Sequence, residues 1–424
     1  MKISNVFGFQ VLDSRGRPTV AASITLEDGT SHTARVPSGA STGKHEAIEL
    51  RDGLGKLSNR FYGTDSVYKA IENINVKIAP RLIGDDIDLA KVDQKLNQLE
   101  SSTNFSQLGA NATLSVSLAS AIASAHANKL SLARYFQPSG PLLIPMPMVN
   151  ILSGGAHAKS VIDFQDILIV PNGAKTFTEA ISWVVAIREM ATRLGSESGK
   201  VTHLIADEGG LGIPFPTIEK ALEFVVSAIE KVGLLVGTQV SLAIDVAATQ
   251  FFTEERYKLI NPNRSYTSKQ FRELILNLVS DFPIISIEDP FSEDDWEAWQ
   301  FFTSAAPQKL QIIGDDLLVT NANRLARAMQ ERAANAILIK PNQNGLVTST
   351  WEVLKQAQAG EFRTIVSARS GETEDSWLSD LATGWRAHQI KVGSTHGGER
   401  NAKWNRLIEL ELIEETEFSN PFNN

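Results

Sequence analysis

The chain has 424 residues, 42% hydrophobic and 21% charged, with a formal net charge of −9. That length can bury the cores of two domains, and a negative balance offers no global basic field to nucleic acid or an anionic membrane. There is no cysteine, which excludes disulfides, thiolate metal sites and cysteine nucleophiles.

Residues 1–135 read as a mixed α+β domain. The alternating run Thr19–Leu26, turned at Glu27-Asp28-Gly29, predicts antiparallel strands. The Ala-rich stretch from Ala110 to Phe136 predicts one long helix. Pro138-Ser139-Gly140-Pro141 reads as a linker. From 142 to 424, short Ile-, Val- and Leu-rich runs alternate with longer helical patterns. One helix is predicted from Ser268 to Val279, with Phe271, Leu274, Ile275 and Leu278 on one face and Thr267 or Ser268 as its cap. Strand-helix alternation of this length fits a barrel or a doubly wound sheet. No low-complexity segment or short repeat interrupts it.

Several apolar runs end in charge. Leu204-Ile205-Ala206 leads to Asp207-Glu208, Leu242-Ala243-Ile244 to Asp245, and Ile284-Ile285-Ser286-Ile287 to Glu288-Asp289. Ile312-Ile313-Gly314 leads to Asp315-Asp316, Ala336-Ile337-Leu338-Ile339 to Lys340, and Ile365-Val366-Ser367-Ala368 to Arg369; Lys391 follows Ile390. In a parallel barrel the C-terminal strand ends gather at one mouth, so the series predicts a ring of acids, lysines and an arginine around one cavity. Three carboxylates without a His or Cys cluster suit a hard cation such as Mg²⁺. A lysine at the same mouth can act as a base, and a protonated carboxyl can assist a leaving hydroxyl. Together these groups suggest proton abstraction beside a carboxylate, with a metal stabilising the charge that develops.

Asp13-Ser14-Arg15-Gly16-Arg17-Pro18-Thr19-Val20, Pro37-Ser38-Gly39-Ala40-Ser41-Thr42-Gly43 and Glu46-Ala47-Ile48-Glu49-Leu50-Arg51-Asp52 resemble enolase segments. So do Gly109-Ala110-Asn111-Ala112, Asp207-Glu208-Gly209-Gly210, Ser286-Ile287-Glu288-Asp289, Gly314-Asp315-Asp316-Leu317, Leu338-Ile339-Lys340 and Arg369-Ser370-Gly371-Glu372-Thr373-Glu374-Asp375, in family order. The resemblance implies an α/β fold: an N-terminal α+β capping domain (1–135), then an enolase-type β/α barrel (142–424) with partly antiparallel first strands. It implies dehydration of 2-phosphoglycerate to phosphoenolpyruvate. Lys340 would take the proton from carbon 2 and Glu208 would assist departure of the carbon-3 hydroxyl. Asp245, Glu288 and Asp315 would hold one Mg²⁺, and Ser41 would help bind a second that arrives with substrate. Arg369 and Ser370 would grip the phosphate, Lys391 the carboxylate end, and His157, Gln165 and Asp166 would line the pocket. Asp207, Asp289 and Asp316 are read as supporting loops. A homodimer in the cytoplasm, without nucleic-acid or membrane partners, is the matching expectation. Met1 to Gly8 lacks a signal-peptide core, and no apolar stretch approaches the roughly 20 residues of a bilayer span.

The pattern also departs from the family. Ala368 replaces a histidine before the Arg-Ser pair, Asp166 a glutamate, Ser153 an asparagine and Leu211 an aromatic, and the 393–400 segment is altered. These changes remove volume or polar atoms on the pocket side. They leave open the same elimination on a related phosphate or phosphonate ester, for example giving carboxyphosphonoenolpyruvate. A non-catalytic scaffold is a third possibility, opposed by the full metal and lysine set.

Overall fold

Three antiparallel strands open the chain: β1 (Ile3–Leu12), β2 (Pro18–Leu26) and β3 (Ser31–Arg35). The computed structural model describes residues 1–40, 43–53 and 62–423. The β2–β3 turn closes through Gly29, whose positive φ of 86° suits glycine and whose N–H reaches the Leu26 carbonyl at 3.0 Å. Helices α1 (Leu89–Leu99) and α2 (Ala110–Ala127) follow, and α2 packs on β2 and β3. The small Ala and Ser side chains of α2 let it be buried on almost every face.

The predicted single helix to Phe136 breaks in two. Lys129 adopts φ 58° and donates its N–H to the His126 carbonyl, while Leu130 returns to Ala125. A left-handed residue of this kind ends a helix. Ser131 then caps a new short helix, Leu132–Phe136, by accepting from the Arg134 N–H.

Eight strands close a barrel: β4 (Met146–Ser153), β5 (Asp166–Val170), β6 (Ser241–Asp245), β7 (Ile284–Glu288), β8 (Gln311–Gly314), β9 (Ala336–Ile339), β10 (Arg363–Ser367) and β11 (Gln389–Gly393). They run in chain order around the ring. Only β5 is reversed, antiparallel to β4 and β6; every other pairing is parallel. The mouth therefore receives the C-terminal ends of seven strands and the N-terminal end of β5.

Alternation along the strands decides which side chains enter the barrel. Met146, Met148, Leu168, Val170, Ala243, Ile313, Ala336, Leu338 and Ile365 form one interior cluster. Ile167, Ile169, Ile244, Ile287, Ile312, Ile337, Ile339, Val366 and Ile390 belong to the second cluster, shared with the helices. Continuing the inward parity by two residues gives Lys340 after Leu338, Asp315 after Ile313, Asp245 after Ala243 and, in reverse, Asp166 before Leu168.

The surrounding helices are α3 (Phe177–Glu197), α4 (Ile218–Lys231), α5 (Ser268–Asp281), α6 (Trp296–Ala305), α7 (Ala322–Glu331), α8 (Val347–Ala359), α9 (Trp377–Gly384) and α10 (Gly398–Ile413). At α5, Thr267 is the cap and forms a reciprocal capping box with Gln270. Among the described residues no helix is long and apolar enough to cross a membrane.

The run Leu204-Ile205-Ala206 is not a barrel strand, contrary to the expectation. Leu204 and Ile205 are 66% and 49% exposed, and an isolated bridge joins Ile205 to Leu211, which is bridged in turn to Leu152. The reversed strand β5 takes that place in the ring, and its acid precedes its apolar run.

The first helices lock onto the barrel at the start of α8. Asp93 of α1 accepts from the Thr348 N–H at 3.0 Å and from its hydroxyl at 2.7 Å. Ser117 of α2 accepts from the Val347 N–H at 2.9 Å, and Thr113 donates to the Gly345 carbonyl at 2.9 Å. The bonds from the Val347 and Thr348 N–H groups satisfy amides that a helix N-terminus leaves without partners.

Candidate active site

At the barrel mouth, β6, β7 and β8 are neighbours, so their terminal acids Asp245, Glu288 and Asp315 stand side by side, all buried. Lys391, from within β11, donates to Asp245 at 2.8 Å and to Glu288 at 2.7 Å. Lys340, following β9, is bonded to Asp315. Gln343 donates to the other Asp315 oxygen at 2.9 Å, and Gln165 donates to Asp245 at 3.1 Å. The predicted acids and lysines thus form two neighbouring groups, Lys391 with Asp245 and Glu288, and Lys340 with Asp315.

Its electrostatics follow from these partners. Burial, then the neighbouring Asp245, pushes the Glu288 carboxyl well above the usual carboxylate range. Burial acts the same way on Asp315, but Lys340 outweighs it and holds that carboxyl low. Burial pulls both lysines down; Asp315 holds Lys340 above the ordinary range, and Asp245 with Glu288 hold Lys391 well above it. An oxygen-only donor set drawn from adjacent strands fits a hard divalent cation. Among the described residues, the acidic groups whose ligand atoms converge within 4.8 Å are His157–Asp166–Glu208 and Asp289–Asp315–Asp316. Asp245 and Glu288 converge on the Lys391 ammonium instead. Asp289 also serves its loop, accepting from the Asp315 and Asp316 N–H groups at 2.9 and 2.7 Å.

The opposite wall carries a second cluster. In an eight-strand ring β5 lies four strands from β9, so Asp166 faces Lys340 across the barrel. His157 Nδ1 lies 2.9 Å from Asp166 Oδ2, and its Nε2 lies 3.6 Å from Glu208 Oε1 and 3.3 Å from the Ser370 hydroxyl. Ser153 donates to the second Asp166 oxygen at 2.7 Å, and Asn150 donates to Glu208 at 3.3 Å. Asp166 is therefore held by His157 on one oxygen and by Ser153 on the other. Burial lowers the imidazole, but Asp166 and Glu208 overcome it and push His157 up to about 9. Burial raises Glu208, but His157 and then Arg400 reverse this and hold it below the usual range. Burial raises the Asp166 carboxyl, against the attraction of His157.

Arg369 follows β10 and donates to Glu46 at 3.0 Å and to Asn342 at 3.0 Å. Ser370 is buried beside it. Ala368 is buried, with its N–H on the Lys391 carbonyl at 2.9 Å; it presents only a methyl group. Ser41 lies outside the described residues. The other predicted site residues line this mouth.

Sequence reasoning assigned no role to Glu46, Asn150, Ser153, Gln250, Asn342 and Gln343. Gln250 donates to Gln165, and Glu46 accepts from Gln343 at 3.4 Å. Glu46 could have been weighed, because it lies within a motif segment. The rest are neutral residues without a spacing signature.

Comparison with known proteins places these residues in a family context. The model for the enolase N-terminal domain matches residues 3–136, and that for the enolase C-terminal TIM barrel domain matches residues 141–421. A protein named enolase from Nitratiruptor sp. is 42% identical over 410 residues, 96% of each chain. Enolases from Wolinella succinogenes and Sulfurimonas denitrificans are each 41% identical, over 411 and 414 residues, covering 96% and 97% of this chain and 96% of each relative.

Proposed function

The chain belongs to the enolase family, and from that premise we propose that it dehydrates 2-phosphoglycerate to phosphoenolpyruvate. It is a hydro-lyase of the enolase type. The observation that carries the substrate reading is the two-sided mouth: Lys340 on one wall and the His157–Glu208 pair on the other, joined by a floor of buried acids.

In the proposed reaction Lys340 Nζ, as the neutral amine, takes the proton from carbon 2. The electrons left behind form the carbon 2–carbon 3 double bond, and the carbon 3–oxygen bond breaks. The hydroxyl leaves as water with a proton that His157 passes through Glu208. Opposed walls let the proton and hydroxyl depart from opposite faces. Arg369 and Ser370 hold the phosphate and Lys391 the carboxylate; Gln165 and Asp166 shape the wall between. Asp245, Glu288 and Asp315 would hold magnesium, with Ser41 at a second ion. When bound, the metal would supply positive charge against the substrate carboxylate; Asp315, one of the acids that would hold it, is also the group that keeps Lys340 protonated.

One observation favours a second substrate, a related phosphate or phosphonate ester: the buried residue before Arg369 is Ala368, which offers no polar side-chain atom. The test is ultraviolet detection of enol phosphate from 2-phosphoglycerate with Mg²⁺, using Lys340→Ala as control. Turnover is expected in the parent, and a loss of about 10²–10⁴-fold in the variant. No turnover on 2-phosphoglycerate, with turnover on a phosphonate analogue, overturns the first substrate in favour of the second.

A further inference from the structure

Arg400 lies in the first turn of α10 and is fully buried. Its Nε lies 3.3 Å from the neighbouring Glu399 carboxylate. The rest of the guanidinium is spent on main-chain carbonyls. Nη1 donates to Arg369 at 2.7 Å and to Val392 at 2.9 Å; Nη2 donates to Ser370 and, at 3.4 Å, to Asp207. Each carbonyl belongs to a site residue or to its immediate neighbour. Asp207 precedes Glu208, Val392 follows Lys391, and Arg369 and Ser370 are themselves in the mouth.

The same three segments are tied to one another around this side chain. Ser394 donates its N–H to the Glu208 carbonyl at 2.8 Å. Gly393 (φ +110°) makes that approach possible: a Cβ there would lie 2.6 Å from the Glu208 carbonyl oxygen and 3.2 Å from Arg400 Cδ. One turn later Lys403 pairs with Glu372 at 2.9 Å, and Glu372 accepts from the Arg369 N–H at 3.1 Å. The Arg369 peptide is therefore held from α10 at both its N–H and its carbonyl.

We propose that Arg400 is a positioning residue, fixing the segments that carry Glu208, Arg369–Ser370 and Lys391 in one register so that they act as a set. The functional part of this inference rests on the dehydration reading above. A planar fork can address several carbonyls in fixed directions, whereas an ammonium of the same charge cannot. Arg400→Lys keeps the charge and loses the fork.

The experiment combines steady-state kinetics on 2-phosphoglycerate with hydrogen exchange read by mass spectrometry, on parent and variant shown folded by circular dichroism. The variant is expected to exchange faster in residues 205–211, 368–372 and 391–395 together, with β1 and β2 unchanged. Turnover is expected to fall about 10–100-fold, the scale of a misplacement near 1 Å, with a several-fold rise in KM. Exchange equal to the parent in all three segments overturns the proposal, as do unchanged kcat and KM in the folded variant. If Arg400→Lys does not fold, Gly393→Ala is read in the same way, since its Cβ would separate Glu208 from Arg400. A parent inactive on 2-phosphoglycerate defeats the substrate reading alone, because the exchange pattern still decides whether Arg400 holds the three segments.

Discussion

Asp93 has two hydrogen-bonding partners on its Oδ2 atom and none on its buried Oδ1. Burial raises this carboxyl from 3.8 to about 6, against the hydrogen bonds from Thr348. No cation opposes the shift. At about 1.4 kcal/mol per pH unit, the ionised form costs ~3 kcal/mol of stability above pH 6. The sign follows from proton binding. The folded protein binds this proton more tightly than the unfolded chain, so the cost is fully present above the folded value of about 6. It is relieved as pH falls through 6 and is gone below 3.8. Asp93→Asn keeps the shape and an oxygen for Thr348 but carries no charge. Equilibrium urea unfolding of parent and variant, from about pH 5 to about pH 8, should show the variant more stable by ~3 kcal/mol at the high end. That gain should shrink steadily as pH falls below about 6. A variant less stable than the parent at about pH 8, or a gain independent of pH, would refute the reasoning.

Two further outcomes follow from the mouth. Mg²⁺ should raise the thermal unfolding midpoint of the parent, corresponding to about 2.7 kcal/mol at a hundredfold excess over its Kd; Asp315→Asn and Glu288→Gln should flatten that response, and an equal rise in both variants would remove these acids from the metal site. Ser153→Ala withdraws one of the hydrogen bonds to the fully buried Asp166 and should cost roughly 1.5–3 kcal/mol in urea unfolding, whereas a neutral result would show that Ser153 does not support that carboxylate.

The barrel was legible because two signals coincide at its strand ends: an apolar run and the charge that terminates it. This placed Asp245, Glu288, Asp315 and Lys340 at one mouth. The same rule failed at residues 204–206, where an apolar run before Asp207 belongs to an exposed connection. It failed because strand direction is a tertiary property; β5 runs backwards, so its acid stands before its run. The helix from Ala110 was visible in composition, but its end at Lys129 depends on a left-handed residue that is not glycine. Arg400 and Ser153 left no local trace, since their partners lie far away in sequence or across a reversed strand. The resemblance to enolases marked both only as departures, Ser153 in place of an asparagine and Arg400 within the altered 393–400 segment, and gave neither a role.

The inward parity of the strands also limits how this mouth can change. Lys340, Asp315 and Asp245 enter the mouth because each sits two residues beyond an interior apolar one, and Asp166 because it sits two before one. A single inserted or deleted residue between Leu338 and Lys340, or between Ala243 and Asp245, would turn an ionised side chain into the layer where the helices pack. Changes to the chemistry of this mouth are therefore accommodated by substitution in place, while changes of length are confined to the connections beyond the strand ends.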